Sequence, residues 1–251
     1  MHVLILGGTR DAMNLAGALL DHPKFSATYS LAGRTRRPLP SGLPTRRGGF
    51  GGVDGLCNYL KQHKVDVVVD ATHPFAAQMS ANAVAACSKN QLPLVRLSRQ
   101  PWAAINGDNW LAAQDLPHAA MLLKQHSKAG DRVLLATGGR SLQHFEDISE
   151  RHLIVRCVDP PQPPPNFDSW TLLTQRGPFL LADERQLLRA ENIHILVCKN
   201  SGGKAAEAKF TAARELGLPV IIVNRPEIPP ADIEYFHYRD VIVCLERKSA
   251  G

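Results

Sequence analysis

Aromatic residues are scarce, at 6% of the 251 positions, and the arginines are not interleaved with them. That argues against a nucleic-acid surface, where basic groups and stacking rings occur together. Cysteine is also sparse. Cys57, Cys87, Cys157, Cys198 and Cys244 lie far apart, are odd in number and show no metal-ligand spacing. Neither a disulfide framework nor a metal site is expected, and reduced thiols in a cytoplasm are. No apolar run approaches the ~20 residues of a membrane span. Strand-type residues begin at His2, where a secretory leader would carry its charged segment. No tyrosine is followed four residues later by lysine, so the Tyr-x-x-x-Lys pair of short-chain reductases is missing.

The composition is that of a soluble globular protein, with 44% hydrophobic and 21% charged residues. The length suits one large domain or two small ones. A formal charge of +6 favours an anionic partner. With nucleic acid disfavoured, a small polyanion fits better.

The chain is organised around its first residues. The strand-length run His2–Leu6 meets Gly7-Gly8-Thr9-Arg10, and Ala12, Leu15, Ala16, Leu19 and Leu20 then recur at helical spacing. Strand, glycine turn and helix aim N–H groups and the positive dipole end at a phosphate. In the dinucleotide pattern Gly-x-Gly-x-x-Gly/Ala, Gly7 fills the first slot and Ala12 the last. Thr9 occupies the second, where its hydroxyl could donate to a phosphate. A tight turn in some other α/β domain has the same appearance.

Residues 25–31 read as a second strand, ending at Ala32-Gly33-Arg34-Thr35-Arg36-Arg37. An NAD-binding fold usually places an acid there to accept from the ribose 2′-hydroxyl. Here stand Ser30 and three arginines, which would welcome a 2′-phosphate, so the residues point to NADP(H); a solvated basic loop is the alternative. Gly48-Gly49-Phe50-Gly51-Gly52 could lie over a cofactor or be a plain turn before a helix over 53–63.

The β-branched run Val65–Asp70 reads as a central buried strand. Asp70, Thr72 and His73 follow at its carboxyl end, where open α/β sheets gather ligands. Thr72 could cap the next helix. Residues 92–97 read as a fourth strand. The alternation argues for a parallel sheet. The segment 98–109, with Arg99, Pro101 and Trp102, breaks the rhythm and reads as an inter-domain connection.

The theme then restarts. A helix over 116–125 leads to a strand over 132–136, which ends in Thr137-Gly138-Gly139-Arg140, echoing Leu6-Gly7-Gly8-Thr9-Arg10. A strand over 152–158, a proline-rich spacer, a helix over 180–190, a strand over 193–198, a helix ending at Leu216 and a strand over 220–223 follow. The tail over 235–245 reads as helix. The expected division is 1–98 for an NADP-binding domain and 99–251 for a second domain.

Several blocks together resemble one family, the precorrin-6A and cobalt-precorrin-6A reductases of cobalamin biosynthesis. They are Ile5-Leu6-Gly7-Gly8-Thr9, Leu31-Ala32-Gly33-Arg34-Thr35, Gly48–Gly52, Asp70-Ala71-Thr72-His73-Pro74-Phe75-Ala76, Lys199-Asn200-Ser201-Gly202-Gly203 and Arg225-Pro226. The resemblance implies two Rossmann-like α/β domains with parallel sheets and a ligand cleft between them. It implies NADPH-dependent reduction of one macrocycle double bond to give precorrin-6B. It also implies an anionic tetrapyrrole substrate and a monomer or weak homodimer. Cofactor contacts are then expected from Gly7, Gly8, Thr9, Arg10, Ser30, Gly33, Arg34, Thr35, Gly49, Phe50, Gly51 and Thr72. Substrate contacts are expected from Asn200, Ser201, Gly202, Gly203, Lys204 and Arg225. Lys199 is the first candidate for proton donation or charge neutralisation, or else clamps a substrate carboxylate; His73 and Asp70 are second candidates. A non-catalytic NADP(H)-binding sensor module is the alternative function.

Overall fold

A computed structural model of the chain describes residues 1–33, 36 and 38–249. The first elements are β1 (His2–Leu6), α1 (Arg10–Leu19), β2 (Ser26–Leu31), β3 (Thr45–Arg47), α2 (Gly52–Gln62), β4 (Val67–Asp70), α3 (Ala77–Asn90) and β5 (Leu94–Leu97). Then come β6 (Trp110–Ala113), α4 (Leu116–His126), β7 (Arg132–Ala136), β8 (His152–Cys157), β9 (Trp170–Thr174), α5 (Leu181–Ala190), β10 (Ile195–Lys199), α6 (Ala208–Glu215) and β11 (Val220–Val223). The chain closes with β12 (Ile233–Tyr235) and α7 (Tyr238–Ser249). Short 3-10 turns cover Gly139–Phe145 and Lys204–Ala206.

Two compact units result: Met1–Gln100 with Pro226–Gly251, and Pro101–Arg225. The expected boundary, with everything after 98 in a second domain, is therefore corrected. The tail belongs to the first unit, because β12 pairs in parallel with β5 through Ile233↔Val95 and Tyr235↔Leu97. Helix α7 then lays Val241, Cys244 and Leu245 on the core that α1 also covers. The expected helix over 235–245 begins later, at Tyr238, and Ile233–Tyr235 is strand.

The first sheet has the order β3-β2-β1-β4-β5-β12, with every pairing parallel. Successive strand side chains point to opposite faces. Val3, Ile5, Val67, Val69 and Val95 meet α1 and α7 on one face. Leu4, Leu6, Val68 and Leu94 meet Leu56 and Leu60 of α2 and Ala83 and Ala86 of α3 on the other. Coverage on both faces explains the unbroken apolar runs of β1 and β4. Strand order reverses direction between β1 and β4, so the connections that follow them leave on opposite faces of the sheet. That is the switch point at which open α/β sheets bind ligands.

The second unit repeats this plan as β9-β8-β7-β10-β11-β6, again wholly parallel. Its switch point lies between β7 and β10. The echo between 4–10 and 134–140 is thus structural, since β1 and β7 hold equivalent places in their sheets. It fails at the next element: β1 leads into an α-helix, β7 into a 3-10 turn. Strands β3, β6 and β9 were not legible. Each is an edge strand of three to five residues, too short and too exposed for a period-2 pattern.

Two glycines show how tightly the sequence is bound to the first unit. A Cβ on Gly7 would lie 2.3–2.5 Å from the ring and hydroxyl of Tyr29. A Cβ on Gly55 would lie 1.7 Å from the Phe50 carbonyl oxygen, so α2 can meet the 48–52 loop only through glycine. Gly55→Ala should therefore lower unfolding free energy by about 1–3 kcal/mol, as overpacking does. By contrast, a Cβ on the exposed Gly17 of α1 would meet nothing within 4 Å, and Gly17→Ala should raise stability by about 0.5–1 kcal/mol. Urea unfolding of both variants checks the pair.

Candidate functional site

At the first switch point, Thr9 caps α1. Its Oγ1 accepts from the Ala12 N–H at 3.1 Å and donates to the Ala71 carbonyl at 2.9 Å. The single hydroxyl proton thus ties the turn after β1 to the turn after β4. The hydroxyl that the sequence offers to a phosphate is thus engaged within the fold. The Gly8 N–H is also engaged, donating at 3.0 Å to the phenol of the buried Tyr29. Burial pushes the Tyr29 hydroxyl above its ordinary pKa, partly offset by that hydrogen bond. A helix leaves its first N–H groups unpaired, and those of Arg10 and Asp11 have no acceptor among the described residues. A helix N-terminus of this kind is the arrangement that suits an anion. The Asp11 carboxylate would oppose an anion, but it is paired with Arg99 Nε at 2.5 Å. Arg99 thus fastens the connecting segment to α1.

Asp70 is 2% exposed and fully engaged. Its Oδ1 accepts from the Thr72 hydroxyl at 2.7 Å and the Thr72 N–H at 3.2 Å, and its Oδ2 faces Arg96 Nε at 3.5 Å. Arg96 donates onward to the Pro229 carbonyl at 2.9 Å, securing the returning tail. Asp70, a second candidate for catalysis, is thus engaged within the fold by Thr72 and Arg96. Thr72 does not cap α3: the cap is Ala76, with no side-chain bond. His73 Nδ1 accepts from the Phe75 N–H at 3.2 Å, so the imidazole carries its proton on Nε2 when neutral.

At the end of β2, Ser30 and Arg46 are register partners on adjacent strands. Arg46 donates to Ser30 Oγ at 2.8 Å, to the Gly48 carbonyl at 3.0 Å and to the Gly49 carbonyl at 2.9 Å. Its guanidinium lies 3.8 Å over the Phe50 ring. Sequence reasoning passed over Arg46 because β3 was not seen. Gly33 and Gly51 are exposed with positive φ, and Gly49 is exposed beside them. Arg34 and Thr35, expected to meet the cofactor, lie outside the described residues.

In the second unit Lys199 ends β10 at the switch point. Its Nζ donates to Ser141 Oγ at 2.6 Å, and Ser141 Oγ donates to the Thr137 carbonyl at 3.0 Å. The hydroxyl therefore links the turn after β7 to the lysine. Asn200, expected to meet substrate, is engaged by the connecting segment. Its amide accepts from the Trp102 N–H at 2.8 Å and donates to the Trp102 carbonyl at 2.9 Å. Both polar ends hold the incoming segment, and Arg225 Nε donates to the Asn200 carbonyl at 2.9 Å. Ser201, Gly202, Gly203 and Lys204 continue this turn, with Lys204 exposed.

Behind β10 lies a buried charged group. Arg156 pairs with Glu184 at 2.5 Å and stacks 4.4 Å over Phe179. Lys209 Nζ donates to the Ala206 carbonyl at 2.6 Å and sits 4.4 Å from both the Trp102 and Phe210 rings. Burial, reinforced by Arg156, lowers the Lys209 pKa from 10.5 to about 8, against the raising effects of Cys198, Glu184 and Glu207. Burial pushes the Cys198 thiol up, and that of Cys87 to about 12.

Known proteins share both this geometry and the sequence that builds it. The family description "Precorrin-6x reductase CbiJ/CobK" matches residues 2–246. The chain belongs to this reductase family. A precorrin-6A reductase of Rhodobacter capsulatus is 48% identical over 231 residues, 92% of this chain and 90% of that one. A cobalt-precorrin-6A reductase of Synechocystis is 34% identical over 241 residues, 92% and 91% of the two chains. A solved structure of "CobK precorrin-6A reductase" superposes with a TM-score of 0.92 at 46% identity, covering 98% of this chain and 96% of that one. The resemblance read from the blocks is thereby established, and the family fold is the one described.

Lys209 gives a pH prediction. Its proton is held more weakly folded than unfolded, so unfolding takes up protons between about pH 8 and pH 10.5 and stability rises with pH across that window. Below it the cost of burying the ammonium is fully present. Lys209→Met should be more stable than the parent below about pH 8, and the difference should shrink towards pH 10.5. Urea unfolding of the two proteins side by side checks the sign.

Proposed function

We propose that this chain reduces one double bond of the precorrin-6A macrocycle with NADPH, giving precorrin-6B in cobalamin biosynthesis. The observation that carries the cofactor reading is the first switch point. There the N–H groups of Arg10 and Asp11 open towards the carboxyl edge, and Ser30 of β2 with its register partner Arg46 of β3 stands where an NAD site would place an acid. This donor set fits a pyrophosphate and a 2′-phosphate. NADPH, when bound, supplies the hydride for the macrocycle, and a proton must arrive at the other end of the conjugated system.

The chain's part is to hold and orient. Gly7 and Gly8 let the turn approach the cofactor, Thr9 fixes the turn to β4, and Arg10 begins the helix whose positive end faces the phosphates. Gly49, Phe50 and Gly51 border the adenosine side, and Thr72 and His73 border the nicotinamide side. Fixing two rings face to face is itself a large contribution, because effective molarity replaces a bimolecular encounter. In the second unit, Lys199 faces developing negative charge on the macrocycle and returns a proton to it, with Ser141 holding the ammonium. Ser201, Gly202, Gly203, Lys204 and Arg225 receive substrate acetate and propionate groups. The greater identity to the precorrin-6A than to the cobalt-precorrin-6A reductase supports the metal-free macrocycle as substrate.

Lys199→Met separates two roles. If the lysine acts in the transition state, single-turnover NADPH oxidation should slow by about 10²–10⁴-fold with the Michaelis constant little changed. A raised Michaelis constant with intact turnover would make it a carboxylate clamp. Wild-type values for both would remove it from the site. The reaction itself is tested anaerobically with metal-free and with cobalt-containing precorrin-6A. Loss of nicotinamide absorbance should track the change in macrocycle absorbance for the metal-free substrate. Turnover of neither macrocycle would sink the reading.

A further inference from the structure

We propose that Arg46, rather than Arg34, reads the 2′-phosphate of NADP(H) and sets the preference over NADH; the assignment rests on the cofactor reading above. Three observations carry it. First, Arg46 is the middle residue of β3, in register with Ser30, and Ser30 accepts the Gly7 N–H at 2.9 Å through its carbonyl. The arginine is therefore two strands from the glycine turn, at the β2 edge where these folds meet the adenosine ribose.

Second, the guanidinium is already ordered. Phe50 supports its face at 3.8 Å, and Ser30 Oγ, the Gly48 carbonyl and the Gly49 carbonyl each accept one of its N–H groups. Little side-chain freedom is left to lose on binding, which is the advantage of a preorganised donor. Third, arginine has five N–H donors in a planar fork suited to phosphate. Three are engaged by the acceptors just named, and two remain among the described residues. None of the three acceptors is a carboxylate, so the positive charge on Arg46 has no ion-pair partner among the described residues. Ser30 thus acts through Arg46: its Oγ accepts from the guanidinium and fixes the fork's direction.

The test measures dissociation constants of NADPH, NADH, 2′,5′-ADP and 5′-AMP for the full chain and for Arg46→Met, Arg46→Lys and Arg34→Ala. Methionine keeps an unbranched stem over Phe50 and removes the fork; lysine keeps the charge as well. Arg46→Met should weaken NADPH and 2′,5′-ADP by about 10- to 100-fold, the range for a hydrogen bond to a charged group, and leave NADH and 5′-AMP nearly unchanged. Arg46→Lys should fall between, which keeps the question open to a folded variant if the methionine protein fails to fold. Arg34→Ala should keep the preference. Equal weakening of all four ligands would make Arg46 a pin for the 48–52 loop and overturn the assignment. So would loss of the preference in Arg34→Ala with its retention in Arg46→Met. A parent chain with no preference for NADPH would overturn the cofactor reading itself, a result distinguishable from failure of the arginine alone.

Discussion

The hydroxyl of Thr9 joins the three elements on which the first site depends. It accepts from the first turn of α1 and donates to the carbonyl of Ala71 just past β4. At a switch point the neighbouring crossovers leave on opposite sides of the sheet, and the last backbone bond between the two strands is the Ala71 N–H to the Leu6 carbonyl at 3.0 Å. Thr9 supplies a further link in a buried setting, where a satisfied hydrogen bond is worth about 1 kcal/mol and an orphaned group costs more. The consequence extends to Tyr29, whose phenol takes the Gly8 N–H and fits only because Gly7 has no side chain. With these contacts made, the N–H groups of Arg10 and Asp11 are left for a ligand.

The second unit solves the same problem with different chemistry. Its link across the switch point is Lys199 to Ser141, an ammonium to a hydroxyl, and Ser141 in turn donates to Thr137. A neutral staple in one unit corresponds to a charged one in the other. Both sheets are wholly parallel and both present glycine turns at their carboxyl edges. One edge presents backbone N–H groups; the other presents the Lys199 ammonium.

Much of this was legible from the sequence. Apolar runs with helical segments between them predicted the parallel sheets, because strands buried on both faces must be apolar throughout. Arg132–Ala136 and Val220–Val223 were placed as strands with their observed bounds. The short edge strands could not be read, since β3 is Thr45-Arg46-Arg47 and carries no apolar alternation. Missing β3 meant missing Arg46. The return of the tail to the first unit was hidden for a similar reason: three residues of β12 and an ion-pair network from Asp70 through Arg96 to Pro229 hold it. Side-chain roles were least legible. Residue types at Asp70, Thr72 and Asn200 suited ligands, yet hydrogen bonds to Thr72, Arg96 and Trp102 engage them within the fold.

The central claim is that hydride passes from the nicotinamide to a carbon of the macrocycle. Isotope transfer tests it most directly. Precorrin-6A is incubated anaerobically with the chain and NADPH deuterated at C4 on one face or the other, and the reduced macrocycle is analysed by mass spectrometry. The account predicts one deuterium carried on carbon from one labelled face and none from the opposite face. Reduced product without label from either cofactor would contradict it.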